Sequence, residues 1–458
     1  MDIEFLSRFQ FAFTIGFHYI FPPMTIGLGL LLVIMEARYL YTKNIVYEKM
    51  TQFWIKIFAL IFGIGVASGI VMEFEFGTNW SNYSRFVGDV FGSALAAEGI
   101  FAFALESGFL GVLLFGWNRV SPKVHFFSTI MVFIGSVFSA VWIVVANSWQ
   151  QTPTGYHIVN HNGMYRAEIT DFWEMVFNPS SMTRLGHVLL GAILAGALLV
   201  ISVHAFYIIR KKHIDISRKA MKIGIIVALV ASLLQLYAGH SSGEVVAKYQ
   251  PAKLAALEGH YNDNEPATLY AFGYVDQEEK KVYGLGIPGG LSFLIYNDFN
   301  APIKGLEGFD KGEKPNHVNL IFQTYHIMVA IGLLLILLSI VGTILLKKGR
   351  LYKVKWLLWI FVIAVILPHI SNQFGWYSAE IGRQPWVVYG LLKTSEAFSP
   401  SVSGAQILFS LILFIVIYIF LFILFIFLLT RKIMKGPEDN DHNTDMNQSA
   451  KREIPLKK

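Results

Sequence analysis

The chain has 458 residues, of which 54% are hydrophobic and only 15% carry a charge. A soluble chain carries charge on roughly a quarter of its residues, so most of this protein is expected to lie in lipid. The net charge of +6 comes from short basic runs between apolar segments, a pattern that indicates membrane topology and not a nucleic-acid-binding surface.

The first ten residues, Met1–Gln10, lack the features of a signal peptide. No basic stretch precedes the first apolar run and no small-residue cleavage site follows it, so we expect the segment to be retained. Apolar runs long enough to cross a bilayer, roughly 20 residues each, follow at about 11–35, 54–73, 93–116, 124–147, 184–209, 220–239, 318–346, 355–374 and 404–430. The sequence therefore predicts an all-α integral membrane protein with about nine transmembrane helices.

Basic residues indicate how these helices are oriented. They occupy every second connection: Arg38, Lys43 and Lys49; Arg119 and Lys123; Arg210, Lys211, Lys212, Arg218, Lys219 and Lys222; Lys347, Lys348, Arg350, Lys353 and Lys355; Arg431, Lys432 and Lys435. The other connections hold few cations, mainly Arg8, Arg85, Arg166, Arg383 and Lys393. The positive-inside rule therefore places the N-terminus outside and the C-terminus in the cytoplasm.

Four regions follow from this pattern. Residues 1–239 hold the first six transmembrane helices, and residues 318–430 hold the last three. Between them, residues 240–317 form a polar outer loop that is too long for a simple connection and is therefore expected to be functional or partly ordered. The tail at 431–458 is charged, lacks aromatic residues near its end, and is predicted to be a disordered cytoplasmic segment.

Ionisable side chains inside a bilayer are costly, so each one is a candidate functional residue. The candidates are His18, Glu73, Glu98, Glu106, His187, His204, His326 and His369, with Met328 as a possible soft metal ligand. Because the chain has no cysteine, disulfides, thiolate nucleophiles, cysteine-ligated clusters and c-type haem are excluded. Any metal or cofactor must use His, Met or carboxylate groups.

Four of the candidates are expected at a similar depth in the outer half of the membrane: His18, about 10 Å below the outer edge, and His187, Met328 and Glu98. Such a cluster, drawn from separate helices, suits a haem iron ligated by facing helices. For each residue alone, a hydrogen bond between helices or core packing is the commoner role. His204, His326 and His369 are expected to be packing or supporting residues.

Glu98 and Glu106 lie on one predicted helix, offset by about 80° and roughly 12 Å along the axis. Both can face the interior of the bundle. Glu106, beside Ser107 and near mid-membrane, lies where protons would pass from the cytoplasm to the outer cluster. The alternative is a protonated glutamic acid that bonds a neighbouring helix.

Three segments carry a family resemblance: MEFEFGTNW at 72–80, EGIFAFALES at 98–107 and GWYSAEIGRQPW at 375–386. Together they closely resemble subunit I of the cytochrome bd quinol oxidases, and the third motif is long and highly specific. The resemblance extends from Glu4 to the ninth helix and leaves out only the tail. The outer loop is short, as in the short-loop branch of that family.

The resemblance implies the haem ligands. His187 and Met328 match the axial pair of a low-spin haem b near the outer surface. His18 and Glu380 match the axial ligands of two high-spin haems, one haem b and one haem d or a third b-type haem. Which of the two residues binds which haem stays open. A six-coordinate iron can only pass electrons, whereas a five-coordinate iron leaves a site for oxygen.

The resemblance also implies residues around the haems. Arg383 and Trp376 match haem-contacting positions, and a guanidinium can donate two hydrogen bonds to a haem propionate. An interfacial anchor is the alternative for Arg383. Glu98 matches a carboxylate beside the oxygen-reducing pair, and Glu106 matches part of a proton route. Ser107 and Ser139 belong to the same implied route.

Lys253 and Glu258 in the outer loop match quinol-oxidation residues of the family. A carboxylate beside a quinol can accept the proton that leaves with each electron. From the residues alone, this pair would be a solvated charged surface. His326 precedes Met328 closely and could contact a propionate, with a charge that depends on pH.

The function implied by the resemblance is a terminal respiratory oxidase in the bacterial cytoplasmic membrane. Quinol, either menaquinol or ubiquinol, would be oxidised at the outer face, and oxygen would be reduced to water with cytoplasmic protons. A membrane potential would then arise without a pump. The expected partners are oxygen, quinol, a second membrane subunit and, as a further candidate, a small accessory subunit.

The main alternative from another class is a proton-coupled secondary transporter, in which membrane Glu and His residues carry protons. That alternative predicts inverted repeats, and the sequence shows no repeat at a fixed period. Haem–copper oxidases need adjacent His residues for copper, and bis-His cytochromes b need paired His residues on two helices. Neither pattern is present: His187 and His204 do not recur on a second helix.

Overall fold

The computed structural model describes residues 2–438, except for the side chain of Glu73. Within these residues, nine helical stretches are long and apolar enough to cross a membrane, as the sequence predicts. The first four stretches contain α1 (Ile3–His18), α2 (Phe21–Thr42), α3 (Ile45–Thr78), α5 (Gly88–Ala97), a π-helical segment (Glu98–Phe103), α6 (Ala104–Phe115) and α7 (Pro122–Gln151). The short helix α4 (Ser81–Phe86) lies between the second and third stretches.

The rest of the bundle is joined through short hairpins and the large loop. After α7 come β1 (Tyr156–His161), β2 (Met164–Ile169), α8 (Phe172–Val176), α9 (Ser181–Ile209) and α10 (Ile214–Tyr249). The loop contains α11 (Pro251–Glu258), β3 (Glu265–Pro266), β4 (Leu269–Asp276), β5 (Lys281–Ile287), α12 (Gly290–Tyr296) and β6 (Pro302–Ile303). The last part contains α13 (Val318–Lys347), α14 (Lys355–Ile363), α15 (Ile366–Ile381), β7 (Trp386–Val388), β8 (Leu392–Lys393) and α16 (Gly404–Lys435).

The strands form small antiparallel pairs, β1 with β2, β3 with β6, β4 with β5 and β7 with β8. They lie in connections, so the membrane part is all-α as predicted. Several helices are longer than expected from hydropathy. The first begins at Ile3 and not near residue 11, the sixth continues to Tyr249, and the last continues to Lys435. Residues 439–458, most of the predicted disordered tail, lie outside the described residues.

The first span is broken where α1 ends at His18. Pro22 and Pro23 stand at the start of α2 and have no N–H to donate to the carbonyl groups one turn earlier. The helix therefore ends at His18 and begins again at Phe21. The expected depth of about 10 Å for His18 assumes a helix that starts near residue 11. Because α1 starts at Ile3, that depth no longer follows.

The centre of the bundle is formed by α2 packed against α9. Gly27 and Gly196 meet there, and a Cβ atom added to Gly196 would lie 2.3 Å from the carbonyl carbon of Gly27. Close approach of two helices at small residues is the usual packing mode in membranes. This contact belongs to the largest buried apolar cluster, which includes Leu28, Trp54 and Leu198.

The large loop is ordered and packs against the N-terminal end of α13. Helix α11 is buried along its length and shares a small core with Val275, Val282 and Phe322. The loop therefore has a fixed position above the bundle, which places the side chains of α11 next to the membrane helices.

Candidate cofactor cavity

A large cavity opens within the bundle next to the loop at 240–317. Its volume is about 2100 Å³, whereas a site for one small molecule usually has roughly 300–1,000 Å³. Its lining includes eleven of the twelve residues expected in the site: His18, Glu98, Glu106, Ser139, His187, Lys253, Glu258, Met328, Trp376, Glu380 and Arg383. The cavity therefore has room for more than one cofactor.

The neighbours of His18 favour one tautomer of its imidazole ring. Its Nδ1 lies 3.0 Å from Ser68 Oγ, and that hydroxyl donates its single proton to the carbonyl oxygen of Gly65 at 2.9 Å. When the Ser68 hydroxyl donates to Gly65, His18 Nδ1 donates to Ser68 and the Nε2 lone pair is available for a metal. The ring also packs against Gly69, where a Cβ atom would lie 3.1 Å from Cε1. This arrangement suits an axial imidazole.

His187 and Met328 approach the cavity from α9 and α13. Gln235 Nε2 lies 3.1 Å from His187 Nδ1, and the Gln235 carbonyl oxygen is buried without a partner among the described residues. The Met328 sulfur lies where a side chain at Gly375 would be, 2.7 Å from a Cβ atom added there. The glycine that opens the GWYSAEIGRQPW motif therefore makes room for the thioether.

Glu380 sits in a buried hydrogen-bond network. Asn147 Nδ2 donates to its Oε1 at 3.0 Å, and Arg383 Nη2 donates to its Oε2. Arg383 also donates to Gln150 Oε1 at 2.7 Å, and Arg184 donates to the Asn147 carbonyl oxygen. The carboxylate is thus held by donors at the end of α15, facing the cavity.

The electrostatics of this region require an anionic partner. Two guanidinium groups, those of Arg184 and Arg383, flank one carboxylate, that of Glu380, and the amino group of Lys253 lies beside them. Buried charges without counter-charges are strongly unfavourable. The Nε atoms of Arg184 and Arg383 also lack hydrogen-bond partners among the described residues. Haem propionates would supply the missing acceptors and negative charge, so the residues present fit the haem implied by the sequence motifs.

Lys253 and Glu258 lie on α11 at the outer side of the cavity. Lys253 Nζ donates to Gln151 at 3.1 Å and to Gln250 at 3.3 Å. Burial lowers the pKa of Lys253 well below its usual range, and nearby Arg184 adds to this effect. Burial raises the pKa of Glu258 to about 8. The pair is therefore not the solvated charged surface that the residues alone suggest.

Glu98 and Glu106 both accept hydrogen bonds from α7. Ser139 Oγ donates to Glu98 Oε1 at 2.5 Å, and Ser136 Oγ donates to Glu106 Oε1. The stretch from Glu98 to Phe103 is a π-helix, so the offset of about 80° expected for an α-helix does not apply. Both carboxyl groups nevertheless reach the same cavity.

Other candidates lie away from the cavity. Ser107 is exposed, and its hydroxyl donates to the Phe103 carbonyl oxygen at 2.6 Å. His204 accepts from Trp54 Nε1 at 3.0 Å in the interior. His326 Nδ1 lies 2.8 Å from the Phe322 carbonyl oxygen, and His326 Nε2 lies 4.0 Å from Glu258 Oε2. Neither histidine lines the cavity, nor does His369.

Sequence reasoning missed several residues of the site, among them Arg184 and Ser136. Arg184 lies almost one turn before His187 on the same helix, and a charged residue there is itself a signal. Ser136 lies one turn before Ser139, but a serine in a membrane helix usually bonds its own backbone, so nothing marked it. Its role depends on α6 lying beside α7.

These features define a class: a helical membrane protein with a large cofactor cavity near one face. Residues 6–437 match the family of cytochrome bd terminal oxidase subunit I. The chain is 40% identical to the cytochrome bd ubiquinol oxidase subunit 1 of Bacillus subtilis over 95% of both chains. It is 35% identical to the putative cytochrome bd menaquinol oxidase subunit I of Bacillus subtilis, covering 97% of this chain and 99% of that one.

Two further comparisons agree. The chain is 34% identical to the cytochrome bd-II ubiquinol oxidase subunit 1 of Escherichia coli, over 90% of this chain and 93% of that one. The solved bd oxidase from Geobacillus thermodenitrificans has a TM-score of 0.87 and 30% identity, with 95% of this chain and 99% of that chain covered. The chain belongs to the cytochrome bd terminal oxidase subunit I family. It is a multi-pass subunit of a terminal respiratory oxidase of the bacterial cytoplasmic membrane, and membership implies haem cofactors.

Proposed function

We propose that this chain oxidises a quinol at the outer side of its cavity and carries the site where oxygen is reduced. The observation that carries the proposal is that one and the same cavity is lined both by the four candidate haem ligands and by the Lys253 and Glu258 pair. The relatives are named for ubiquinol and for menaquinol, so the substrate class is a quinol of either type. A transporter has no support from the comparisons.

The ligand assignment follows from the donor groups. His187 and Met328 would hold a low-spin haem b, and His18 and Glu380 would hold two high-spin haems, one of them haem d or a further haem b. When bound, haem supplies one-electron transfer and, where its iron keeps an open position, oxygen binding. The chain's own contribution is to fix the His18 Nε2 lone pair and to present Arg184 and Arg383 to propionates. Trp376, which lines the cavity close to Phe11, would limit the space around a ring.

Quinol oxidation needs a group that accepts a proton at the moment an electron leaves. Glu258 is suited to this because it is buried, lines the cavity, and has one oxygen without a hydrogen-bond partner among the described residues. Lys253 is a donor that can hold a quinol oxygen. Since α11 is fixed against α13, both side chains keep their positions before a quinol binds.

Protons for water formation would come from the opposite face through Glu106 and Glu98. Ser136 and Ser139 orient the two carboxyl groups from α7, and Ser107 is the weakest member of the route because its hydroxyl points to its own helix. Uptake on one face and release on the other would produce a membrane potential without a pump. This direction depends on the N-terminus lying outside, as the basic residues predict.

A substitution tests the proton route. Glu106→Gln keeps the volume and the hydrogen bond from Ser136 but cannot carry a proton. In the assembled oxidase with its second subunit and any accessory subunit, we expect quinol-driven oxygen consumption to fall by about 10²-fold, the lower bound for losing a proton-transfer group, at normal haem content. Unchanged oxygen consumption would remove Glu106 from the route, and Glu278→Gln, at an exposed loop residue outside the route, is the matched control.

A further inference from the structure

One side of α7 carries three hydroxyl groups that bind buried or half-buried carboxyl groups from other parts of the bundle. The pairs are Thr129 with Glu36, Ser136 with Glu106, and Ser139 with Glu98. Thr129 and Ser136 are separated by about two turns, roughly 10 Å along the axis, and therefore share a side of the helix. The proposed proton route uses only the second and third pairs.

The first pair includes a histidine that makes it different from an ordinary buried hydrogen bond. His125 Nδ1 lies 2.7 Å from Glu36 Oε1, and His125 Nε2 lies 3.2 Å from the Leu113 carbonyl oxygen. A carbonyl only accepts, so Nε2 carries a hydrogen. The short contact between Nδ1 and Oε1 needs one further proton, which can lie on either atom. Glu36 and His125 therefore share a transferable proton.

The Glu36–His125 pair is completely enclosed, with 1% and 2% of the two residues exposed. Its polar atoms all have partners, since Thr129 donates to the second Glu36 oxygen at 2.5 Å. The groups around it come from α2, α7 and the end of α6. Since every polar atom of the pair has a hydrogen-bond partner, the buried pair is stable without another ligand while it holds its proton.

The pair lies close to the face that the basic residues predict to be cytoplasmic. Arg38 and Lys123 are near neighbours of Glu36 and His125 in the chain. The Trp117 ring packs edge-on against His125 with centroids 4.4 Å apart, and its indole N–H donates to Glu48 at 2.9 Å. Glu48 is half-buried at the start of α3. Only one aromatic layer separates the shared proton from that charged surface group.

The three hydroxyl–carboxyl pairs follow one another along α7, from the cavity toward the face that is predicted to be cytoplasmic. Ser136 and Glu106 line the cofactor cavity, whereas Thr129 and Glu36 lie beyond its lining. A proton crossing the interval of roughly 10 Å along α7 would need a chain of about three hydrogen-bonded water molecules. Val132 lies between the two positions on α7, is 1% exposed and has no polar side-chain atom, so transfer across this interval requires water or movement of Glu106.

We propose that Glu36 and His125 are the first proton-accepting groups of the oxygen-reducing reaction and pass protons to Glu106, an inference that rests on the proposed function. Glu36 gives up the shared hydrogen toward the interior, and a proton from the aqueous side takes its place between His125 Nδ1 and Glu36 Oε1, while His125 Nε2 keeps its hydrogen on the Leu113 carbonyl oxygen. Atoms and charge balance because one proton enters for each one that leaves. The pair thus extends the row on α7 to the predicted cytoplasmic face.

A purely structural role is the competing explanation, and His204 provides the comparison. His204 is also fully buried, but Trp54 donates to its Nε2 and Ser217 contacts its Nδ1, so no carboxyl group shares a proton with it. It lies on α9, away from the row of hydroxyl groups. His204→Gln should therefore perturb packing without affecting proton delivery.

The test uses variants of the assembled oxidase with bound haem. In Glu36→Gln, the amide oxygen can accept from Thr129 and the amide nitrogen can donate to His125 Nδ1, so the contacts remain while the shared proton is lost. We expect proton uptake from the medium, followed with a pH dye during a single reaction with oxygen, to slow at least ten-fold. Carbon monoxide binding and haem content should stay as in the wild type. His204→Gln should take up protons at the wild-type rate.

A second pair of variants tests the proposal even if Glu36→Gln does not assemble. Thr129→Val removes one hydroxyl and should slow uptake, whereas Thr129→Ser keeps the hydroxyl and should restore it. Wild-type uptake in Glu36→Gln, or equal uptake in the two Thr129 variants, overturns the proposal. Glu106→Gln, measured in parallel, separates the two ideas: slow uptake only in Glu106→Gln refutes the Glu36–His125 extension and leaves the proposed route intact. Normal uptake in Glu106→Gln refutes that route itself.

Discussion

Glu258 is 1% exposed, and burial raises the pKa of its carboxyl group to about 8. Below that pH the group holds a proton and cannot accept one from a quinol. We therefore expect kcat/KM for quinol to rise as the pH increases toward about 8 and then to level off. Oxygen consumption at several quinol concentrations and pH values measures this directly.

The matched variants for this prediction are Glu258→Gln and Glu278→Gln. Glu258→Gln should flatten the rise and lower kcat/KM by about 10²-fold. Glu278 is an exposed loop residue, and its replacement should leave the profile as in the wild type. The same rise with pH in Glu258→Gln would mean that another group accepts the proton.

At the residue scale, the sequence could identify side chains whose presence in lipid is costly, such as His18, Glu98 and Glu106. It could not identify residues whose role comes from a neighbouring helix. Ser136, rather than Ser107, binds Glu106, because α7 presents that position to α6. The Lys253 and Glu258 pair was recognised through its motif, since nothing in the loop's composition shows that α11 is buried.

At the scale of elements, the contact between α2 and α9 depends on Gly196. An alanine there would place its Cβ atom 2.3 Å from backbone atoms of Gly27, which cannot move independently of their helix. We expect Gly196→Ala to separate the two helices and to lower the free energy of unfolding by roughly 1–3 kcal/mol, the usual cost of overpacking. Thermal release of haem from the purified oxidase reports the loss.

Gly186→Ala is the control on the same helix, because a Cβ atom added there meets nothing within 4 Å. Its haem should be released at the wild-type temperature. If both variants behaved alike, close packing at Gly196 would not be a source of stability.

Hydropathy predicted the number of spans but not their ends. Helix α10 continues to Tyr249 because its last turns are covered by the outer loop and not by lipid, so their polar residues do not interrupt it. The π-helical segment at Glu98–Phe103 was also outside what periodicity could show. It depends on how the α5–α6 helix packs on α7, a contact between segments distant in sequence.

At the scale of the whole molecule, the orientation in the membrane decides the direction of charge movement. The chain contains no cysteine, so single-cysteine variants report position without a background. Tyr41, 85% exposed at the end of α2, is predicted to face the cytoplasm, and the exposed Asn300 in the loop is predicted to face outward. In intact spheroplasts, an impermeant maleimide should label Asn300→Cys and not Tyr41→Cys.

Opening the spheroplasts should expose both positions, which provides the internal control. Labelling of Tyr41→Cys alone in intact spheroplasts would reverse the orientation and with it the proposed sides of quinol oxidation and proton uptake.

The central claim is that side chains gathered around one cavity hold haem iron, with Met328 and His187 as the low-spin pair. The most direct measurement is the reduced-minus-oxidised absorption spectrum of the purified oxidase and of its Met328→Leu variant, which keeps the side-chain volume but removes the sulfur. The wild type should show a low-spin haem b band together with high-spin bands, and the variant should lose the low-spin band alone. An unchanged low-spin band in the variant, or a folded wild-type preparation without haem absorption, would contradict the account.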